Sequence, residues 1–306
     1  MGKLAFIYPG QGVQTAGMGN DFYENSVLAR EVYDNASEAL QLDMKELCFT
    51  KNDRLDLTEY TQAALVTTYL AITRELESRD IHADITAGLS LGEYAAIAAA
   101  GAMTDMQAIQ LVRKRGILMQ NTVPAGEGAM CAVLALDEKV IEQVLEDMED
   151  VSIANYNCPG QIVITGKTEQ VKHAKEKLEA AGARRCILLN VSGPFHSPLL
   201  KKAGDQLYSE MEKMDFGELA IPYVTNVTAE KVTDSGEIKP LLAKQVSSPV
   251  HWMQGVRTML EEGADTFIEI GPGRTLAGFM KKIAPEVKVW QASKWEDMEK
   301  ILAAFG

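Results

Sequence analysis

The chain of 306 residues is 46% hydrophobic and 24% charged, the balance of a globular protein with room for one large core and a smaller domain. Its formal net charge of −13 argues against nucleic-acid binding, which needs a surplus of Lys and Arg on at least one face. Its longest apolar stretch, Ala95 to Met103, falls well short of the roughly 18 residues that suggest a membrane span.

Leu4 to Tyr8 is a short apolar run that ends at Pro9-Gly10-Gln11-Gly12, the pattern of a buried strand stopping at a tight loop, with a helix to follow. No signal-peptide core is read there, and Phe6 stands where a myristoylation signal has Ser or Thr. Helical patterns fill Val27 to Leu47 and Thr61 to Glu77, a second strand lies near Ile85 to Leu89, and a helix of small residues starts at Leu91. Another helix spans Gln107 to Asn121. Between about Gly126 and Asn190 the rhythm becomes strand 129–135, helix 137–148, strand 151–155, strand 161–165, helix 168–181 and strand 185–189. That βαββαβ order is the ferredoxin-like pattern of a compact two-layer domain. A loop at Ser192 to Pro198, further helices, a strand at Thr266 to Ile270 and the turn Gly271-Pro272-Gly273 complete the chain. The expectation is a large α/β domain with a mostly parallel sheet, formed by 1–125 and 191–306, with a small ferredoxin-like domain at 126–190 inserted. Such sheets gather functional groups at the carboxyl ends of their strands. The loops after Tyr8 and Leu89 are therefore the places to search. Cys48, Cys131, Cys158 and Cys186 are scattered, with no Cys-x-x-Cys pair, and read as buried thiols of a protein in a reducing cytoplasm.

Gly88-Leu89-Ser90-Leu91-Gly92 falls where a strand turns into a helix, the context in which G-x-S-x-G marks a nucleophile on a strained elbow. The same small residues also suit a crowded strand-helix crossing with no chemistry. If Ser90 is the nucleophile it needs a general base, and four histidines are available. His82 precedes the strand, His173 shares a polar helix face with Lys172, Glu176 and Lys177, and His251 starts a helix where a structural hydrogen bond would account for it. His196, in the stiff segment Gly193-Pro194-Phe195-His196-Ser197-Pro198 after a strand, is presented at a sheet end; it is the preferred base, with a histidine simply satisfied in a turn as the alternative. In an elbow, the amide after the serine, here that of Leu91, is one oxyanion donor, and the Gly10-Gln11-Gly12 turn supplies the second, through Gln11. A nucleotide site is not read into that turn, which lacks both the third Rossmann glycine and the P-loop lysine.

In the helix at Gln107 to Asn121, Leu111, Val112, Leu118 and Met119 share one side, and Arg115 lies in the middle of their arc. A guanidinium there needs an anion, either an internal Asp or Glu or the end of a ligand. The pairs Lys201-Lys202 and Lys281-Lys282 are either a docking patch for an acidic partner or ordinary solvated faces.

Together these residues resemble the malonyl-CoA:acyl carrier protein transacylase family of bacterial fatty acid synthesis, related to polyketide synthase acyltransferase domains. The likeness runs through Tyr8-Pro9-Gly10-Gln11-Gly12, Gly88-Leu89-Ser90-Leu91-Gly92-Glu93, Arg115, Asn155-Tyr-Asn157-Cys-Pro-Gly160, Gly193-Pro-Phe-His196-Ser and Glu269-Ile-Gly-Pro-Gly273. It implies a hydrolase-like α/β domain carrying the ferredoxin-like insertion, with the site in the cleft between them. It implies Ser90 as acylated nucleophile, His196 as base and acid, Gln11 and Leu91 as oxyanion donors and Arg115 as clamp on the malonyl carboxylate. Gln245 matches the position whose main-chain carbonyl orients the histidine, and Phe195 matches the malonyl-preferring pattern. Leu89 departs from the family, which usually has histidine before the nucleophile. The implied reaction is ping-pong transfer of malonyl from malonyl-CoA to acyl carrier protein, with no metal and no cofactor, no nucleic acid and no membrane. A discrete polyketide acyltransferase would share these motifs; a serine thioesterase or esterase is opposed by Arg115, and a scaffold protein by the presence of Ser90, His196 and Arg115 together.

Overall fold

The computed structural model describes residues 2–124, 126–191 and 193–305. Met1, Ala125 and Gly306, which bound the two expected segments of the larger domain, and Ser192, first residue of the expected loop to Pro198, lie outside the described residues. Strand β1 (Lys3–Tyr8) is buried from Leu4 onward. After it come α1 (Asn20–Asn25), α2 (Val27–Leu40), α3 (Met44–Phe49) and α4 (Thr58–Ser78). The stretch Val27 to Leu47 that reads as one helix is thus two: Gln41 turns left-handed at φ 52° to end α2, and Asp43 caps α3 by accepting from the Glu46 amide. The chain then forms β2 (Ile85–Gly88), α5 (Gly92–Ala99) and α6 (Asp105–Thr122), the last opened by a reciprocal Thr104–Gln107 capping box.

Next follow β3 (Gly128–Leu134), α7 (Glu138–Glu146), β4 (Val151–Cys158), β5 (Gln161–Lys167), α8 (Thr168–Ala180) and β6 (Arg185–Leu188). β4 runs three residues beyond the expected 155, and the others lie within two residues of expectation. The remainder is α9 (Lys201–Met211), β7 (Tyr223–Val224), β8 (Lys231–Val232), α10 (Ile238–Gln245), α11 (Trp252–Glu261), β9 (Ala264–Ile270), α12 (Thr275–Ile283), β10 (Lys288–Ala292) and α13 (Trp295–Phe305).

The strands of the described residues make two sheets. One has the order β10-β9-β1-β2-β7-β8 and is parallel except for β8. The other has the order β4-β5-β3-β6 and is antiparallel. In β1 successive side chains enter opposite layers: Phe6 and Tyr8 join the core containing α4 and α5, while Ala5 and Ile7 join that of Trp252, Val256 and Leu276 from α11 and α12. Burial on both faces is why this strand reads as a continuous apolar run rather than an alternation. The antiparallel sheet has its own core of Val133, Ile141, Ile164 and Leu178 against α7 and α8. Its strand β4 is tied to the segment entering α11, because Val250 donates to the Ala154 carbonyl at 2.8 Å and accepts from the Tyr156 amide at 2.9 Å. Among the described residues no helix is long and apolar enough to cross a membrane.

Candidate active site

β2 ends at Gly88 and α5 starts at Gly92, which leaves Ser90 at the carboxyl end of a central strand with φ 56°, a conformation that strains a residue with a side chain. The crossing leaves no room for more atoms. A Cβ on Gly88 would stand 1.9 Å from the Gly92 carbonyl carbon, and one on Gly92 would stand 2.3 Å from the Tyr8 carbonyl oxygen. Asn226, in the turn between β7 and β8, fastens the elbow: its Oδ1 accepts from the Ser90 amide at 2.7 Å and its Nδ2 donates to the Gly88 carbonyl at 2.6 Å.

His196, also left-handed at φ 59°, presents Nε2 to Ser90 Oγ at 2.7 Å. Its Nδ1 faces the main-chain carbonyls of Gln245 at 2.9 Å and Ser248 at 3.2 Å. Carbonyls only accept, so Nδ1 carries the proton and bare Nε2 accepts from the serine hydroxyl. Burial, followed by the charge of Arg115, pushes the imidazole down to about 3. The neutral imidazole is therefore the favoured form near neutral pH. His82 and His173 are exposed, and the half-buried His251 stacks on Tyr156 with ring centroids 4.9 Å apart.

Arg115 is 1% exposed and points at the same serine. Nη2 donates to Ser90 Oγ at 3.0 Å and to Gln245 Oε1 at 2.9 Å, and Nη1 donates to Gln62 Oε1 at 2.9 Å. The internal Asp or Glu that the sequence left open is absent from these contacts: all three acceptors are uncharged. The guanidinium also lies 5.6 Å from the centre of the Tyr94 ring.

These groups open onto a cleft of about 600 Å³ bounded by the Gly10–Gln14 turn, the elbow, Asn155 and Asn157 of β4, and Phe279 of α12. Gln11, Leu89, Leu91 and Phe195 all line it. The main-chain amides of Gln11 and Leu91 donate to nothing among the described residues, while the Gln11 side chain donates to Thr58 Oγ1 at 3.2 Å. Asn157 Oδ1 is buried with no partner there. Leu89, where the family usually has histidine, packs among apolar neighbours, its Cδ2 in the space a Cβ on Gly10 would need. Its main chain still bonds within the elbow, the amide donating to the Tyr8 carbonyl at 2.9 Å and the carbonyl accepting from the Gly92 amide at 3.0 Å.

Sequence reasoning did not find Gln62 or Asn226, and it met Glu93 only as the last residue of the elbow motif, with no role assigned. Glu93 carries a signal, a charge among Tyr94, Ala95 and Ala96 of α5; Gln62 follows Thr58, Glu59 and Thr61 in a polar first turn, and Asn226 lies in a turn, so neither stands out. Of the lysine pairs, Lys201 is ion-paired with Asp205 at 3.1 Å on α9. Lys281 and Lys282 are exposed in the last turn of α12, the helix that contributes Thr275 and Phe279 to the cleft.

Comparison with known proteins finds relatives over nearly the whole chain. The profile of the family described as "Acyl transferase domain" matches residues 5–292. The malonyl CoA-acyl carrier protein transacylase of Bacillus subtilis is 42% identical over 98% of this chain and 96% of its own. The solved structure of the transacylase of that name from Clostridium perfringens superposes with a TM-score of 0.95 at 40% identity, covering 99% of this chain and 96% of that one. A malonyl-transacylase solved in complex with a type II polyketide acyl-carrier protein matches with a TM-score of 0.95 at 35% identity over 99% of each chain.

Proposed function

The chain belongs to the acyl transferase domain family, and from that premise we propose that it moves malonyl groups from malonyl-CoA to the phosphopantetheine thiol of an acyl carrier protein, through a malonyl ester on Ser90. The observation that carries this reading is the buried guanidinium of Arg115, 3.0 Å from Ser90 Oγ, whose hydrogen-bond acceptors among the described residues are all uncharged. An acyl group ending in a carboxylate supplies the missing anion, and bidentate recognition of carboxylates is what arginine does best.

The steps follow from the atoms in place. His196 Nε2 takes the hydroxyl proton as Ser90 Oγ attacks the thioester carbonyl. The amides of Leu91 and Gln11 receive the negative oxygen. The carbon–sulfur bond breaks, the coenzyme A thiolate takes the proton from His196, and malonyl stays on Ser90. The carrier thiol then gives its proton to His196 and attacks the ester, and the proton returns to Ser90. The Gln245 carbonyl holds the imidazole in the tautomer both half-reactions need. Phe195, on the cleft wall, favours malonyl over bulkier acyl groups. No cofactor or metal takes part in these steps; malonyl-CoA is a substrate.

The same reading treats residues 126–190 as a ferredoxin-like domain inserted into a hydrolase-like domain of 1–125 and 191–306, an arrangement supported by the β4-β5-β3-β6 order with α7 and α8 packed on that sheet. Four free thiols suit a cytoplasmic enzyme. Supply of fatty acid synthesis is the role favoured by the bacterial relatives, with a polyketide carrier as the second reading because one solved relative is bound to such a partner. Intact mass after mixing with malonyl-CoA tests the proposal: the expected result is a malonyl adduct that Ser90→Ala abolishes and that passes to a phosphopantetheine-bearing carrier. Loss of the adduct to water at the same rate with and without carrier would make the protein a hydrolase, and no adduct at all would remove the catalytic reading.

A further inference from the structure

Glu93 is fully buried in the first turn of α5, three residues past the nucleophile, and the reaction above leaves it without a task. Its Oε2 accepts from Gln245 Nε2 at 2.6 Å and from the main-chain amide of Asn226 at 3.3 Å, whereas Oε1 is buried and within hydrogen-bond distance of no donor among the described residues, the Thr225 hydroxyl being the polar group beside the carboxylate. Gln245 Nε2 also donates to the Ser90 carbonyl at 2.9 Å. With two acceptors on one side, the amide group must turn its NH2 toward Glu93 and its oxygen toward Arg115, where Nη2 meets it at 2.9 Å. A buried guanidinium with neutral partners still requires an anion, and Glu93 stands one amide away.

We propose that Glu93 is the resting counter-ion of Arg115, a positioning residue acting through the Gln245 side chain, and that the carboxylate of an incoming malonyl group displaces it from that role while Glu93 takes a proton from solvent. This inference rests on Arg115 being the carboxylate clamp. Two carboxylates around one guanidinium repel, and a proton on Glu93 relieves the repulsion. Burial above all raises this carboxyl to about 7, so the change lies near neutral pH. The charged and titratable groups around Glu93 are Arg115 from α6, Tyr223 from β7 and Tyr94 on its own helix, both tyrosines held neutral by burial. Among the described residues, α10 and the turn after β7 contribute the uncharged Gln245, Thr225 and Asn226.

The sign follows from linkage: if the substrate carboxylate raises the Glu93 pKa, protonation of Glu93 favours binding, and the KM for malonyl-CoA falls as pH drops through about 7. Glu93→Gln keeps an acceptor for Gln245 but removes the charge. It should lower the KM for malonyl-CoA by about threefold or more, flatten its pH dependence, and leave the KM for acetyl-CoA unchanged. Damage to the fold alone would instead raise KM or lower kcat for both. Calorimetry on Ser90→Ala protein in buffers of different ionisation enthalpy, just above neutral pH, examines the unaltered Glu93: proton uptake is expected with malonyl-CoA and not with acetyl-CoA. Equal uptake with the two substrates, or a malonyl-CoA KM in Glu93→Gln that is unchanged or is raised with that for acetyl-CoA unaltered, would overturn the proposal; where both KM values rise, the calorimetry decides. Arg115→Ala separates the two layers. If it retains the preference for malonyl over acetyl, the clamp itself is wrong; if it loses that preference while Glu93→Gln behaves as the parent, the clamp stands and only the counter-ion role fails.

Discussion

At the scale of single residues the site combines two features that are unfavourable in isolation. Ser90 and His196 both adopt positive φ, and His196 and Arg115 are both buried. Each is held by its neighbours: Asn226 grips the elbow, and two carbonyls fix the imidazole. Under the proposed mechanism, burying the base His196 beside a guanidinium has a kinetic consequence. An imidazole pushed down to about 3 stays unprotonated where an exposed one would not. The rate of Ser90 acylation at saturating malonyl-CoA, measured by rapid quench, should therefore hold nearly level from pH 7 to pH 5, where a base with an ordinary pKa of about 6.5 would lose roughly twenty-fivefold. A midpoint near 6.5 in that profile would mean that the imidazole is not shielded as its contacts imply. Ser90 and His196 were legible because serine needs a glycine-flanked elbow and a base, and both leave local sequence marks. Gln62 and Asn226 act across 53 and 136 residues of chain, and such partners are fixed by the fold rather than by spacing.

At the scale of elements the active geometry depends on β2 and α5 crossing closely over the end of β1. Gly92→Ala would put a methyl group 2.3 Å from the Tyr8 carbonyl oxygen and 2.9 Å from that of Pro9, both backbone atoms that side-chain rotation cannot clear. The expected outcome is a loss of about 2 kcal/mol or more in urea unfolding, together with slower acylation, because relief of the clash must move the elbow or the Gln11 turn. Unfolding at the parent midpoint would show that the crossing has slack. The periodicities that announced β1, β2 and the β3–β6 region are those of buried or half-buried elements with clear apolar faces. Elsewhere the signal fails for identifiable reasons. The break between α2 and α3 falls at Gln41, a left-handed residue that is not glycine. β7 and β8 have two residues each, too few for a period. β10 is an edge strand whose Val289, Trp290 and Gln291 are only half-buried, so no apolar run marks it.

At the scale of the whole molecule the problem is charge. A protein of net charge −13 repels an acidic carrier at long range, so productive docking needs a local reversal of sign close to the cleft. The last turn of α12 offers one. Lys282 is one turn beyond the cleft-lining Phe279 and lies near enough to Cys158, at the end of β4, to act on its thiol; Lys281 is beside it. The paired change Lys281→Glu with Lys282→Glu should raise the KM for the carrier by about tenfold at low ionic strength, with the gap to the parent closing as salt is added. Acylation by malonyl-CoA should change little, since neither lysine touches Ser90, His196 or Arg115. A rise confined to the KM for malonyl-CoA would reassign the patch to the coenzyme's phosphates. No change in either would mean that the carrier approaches over another edge of the cleft.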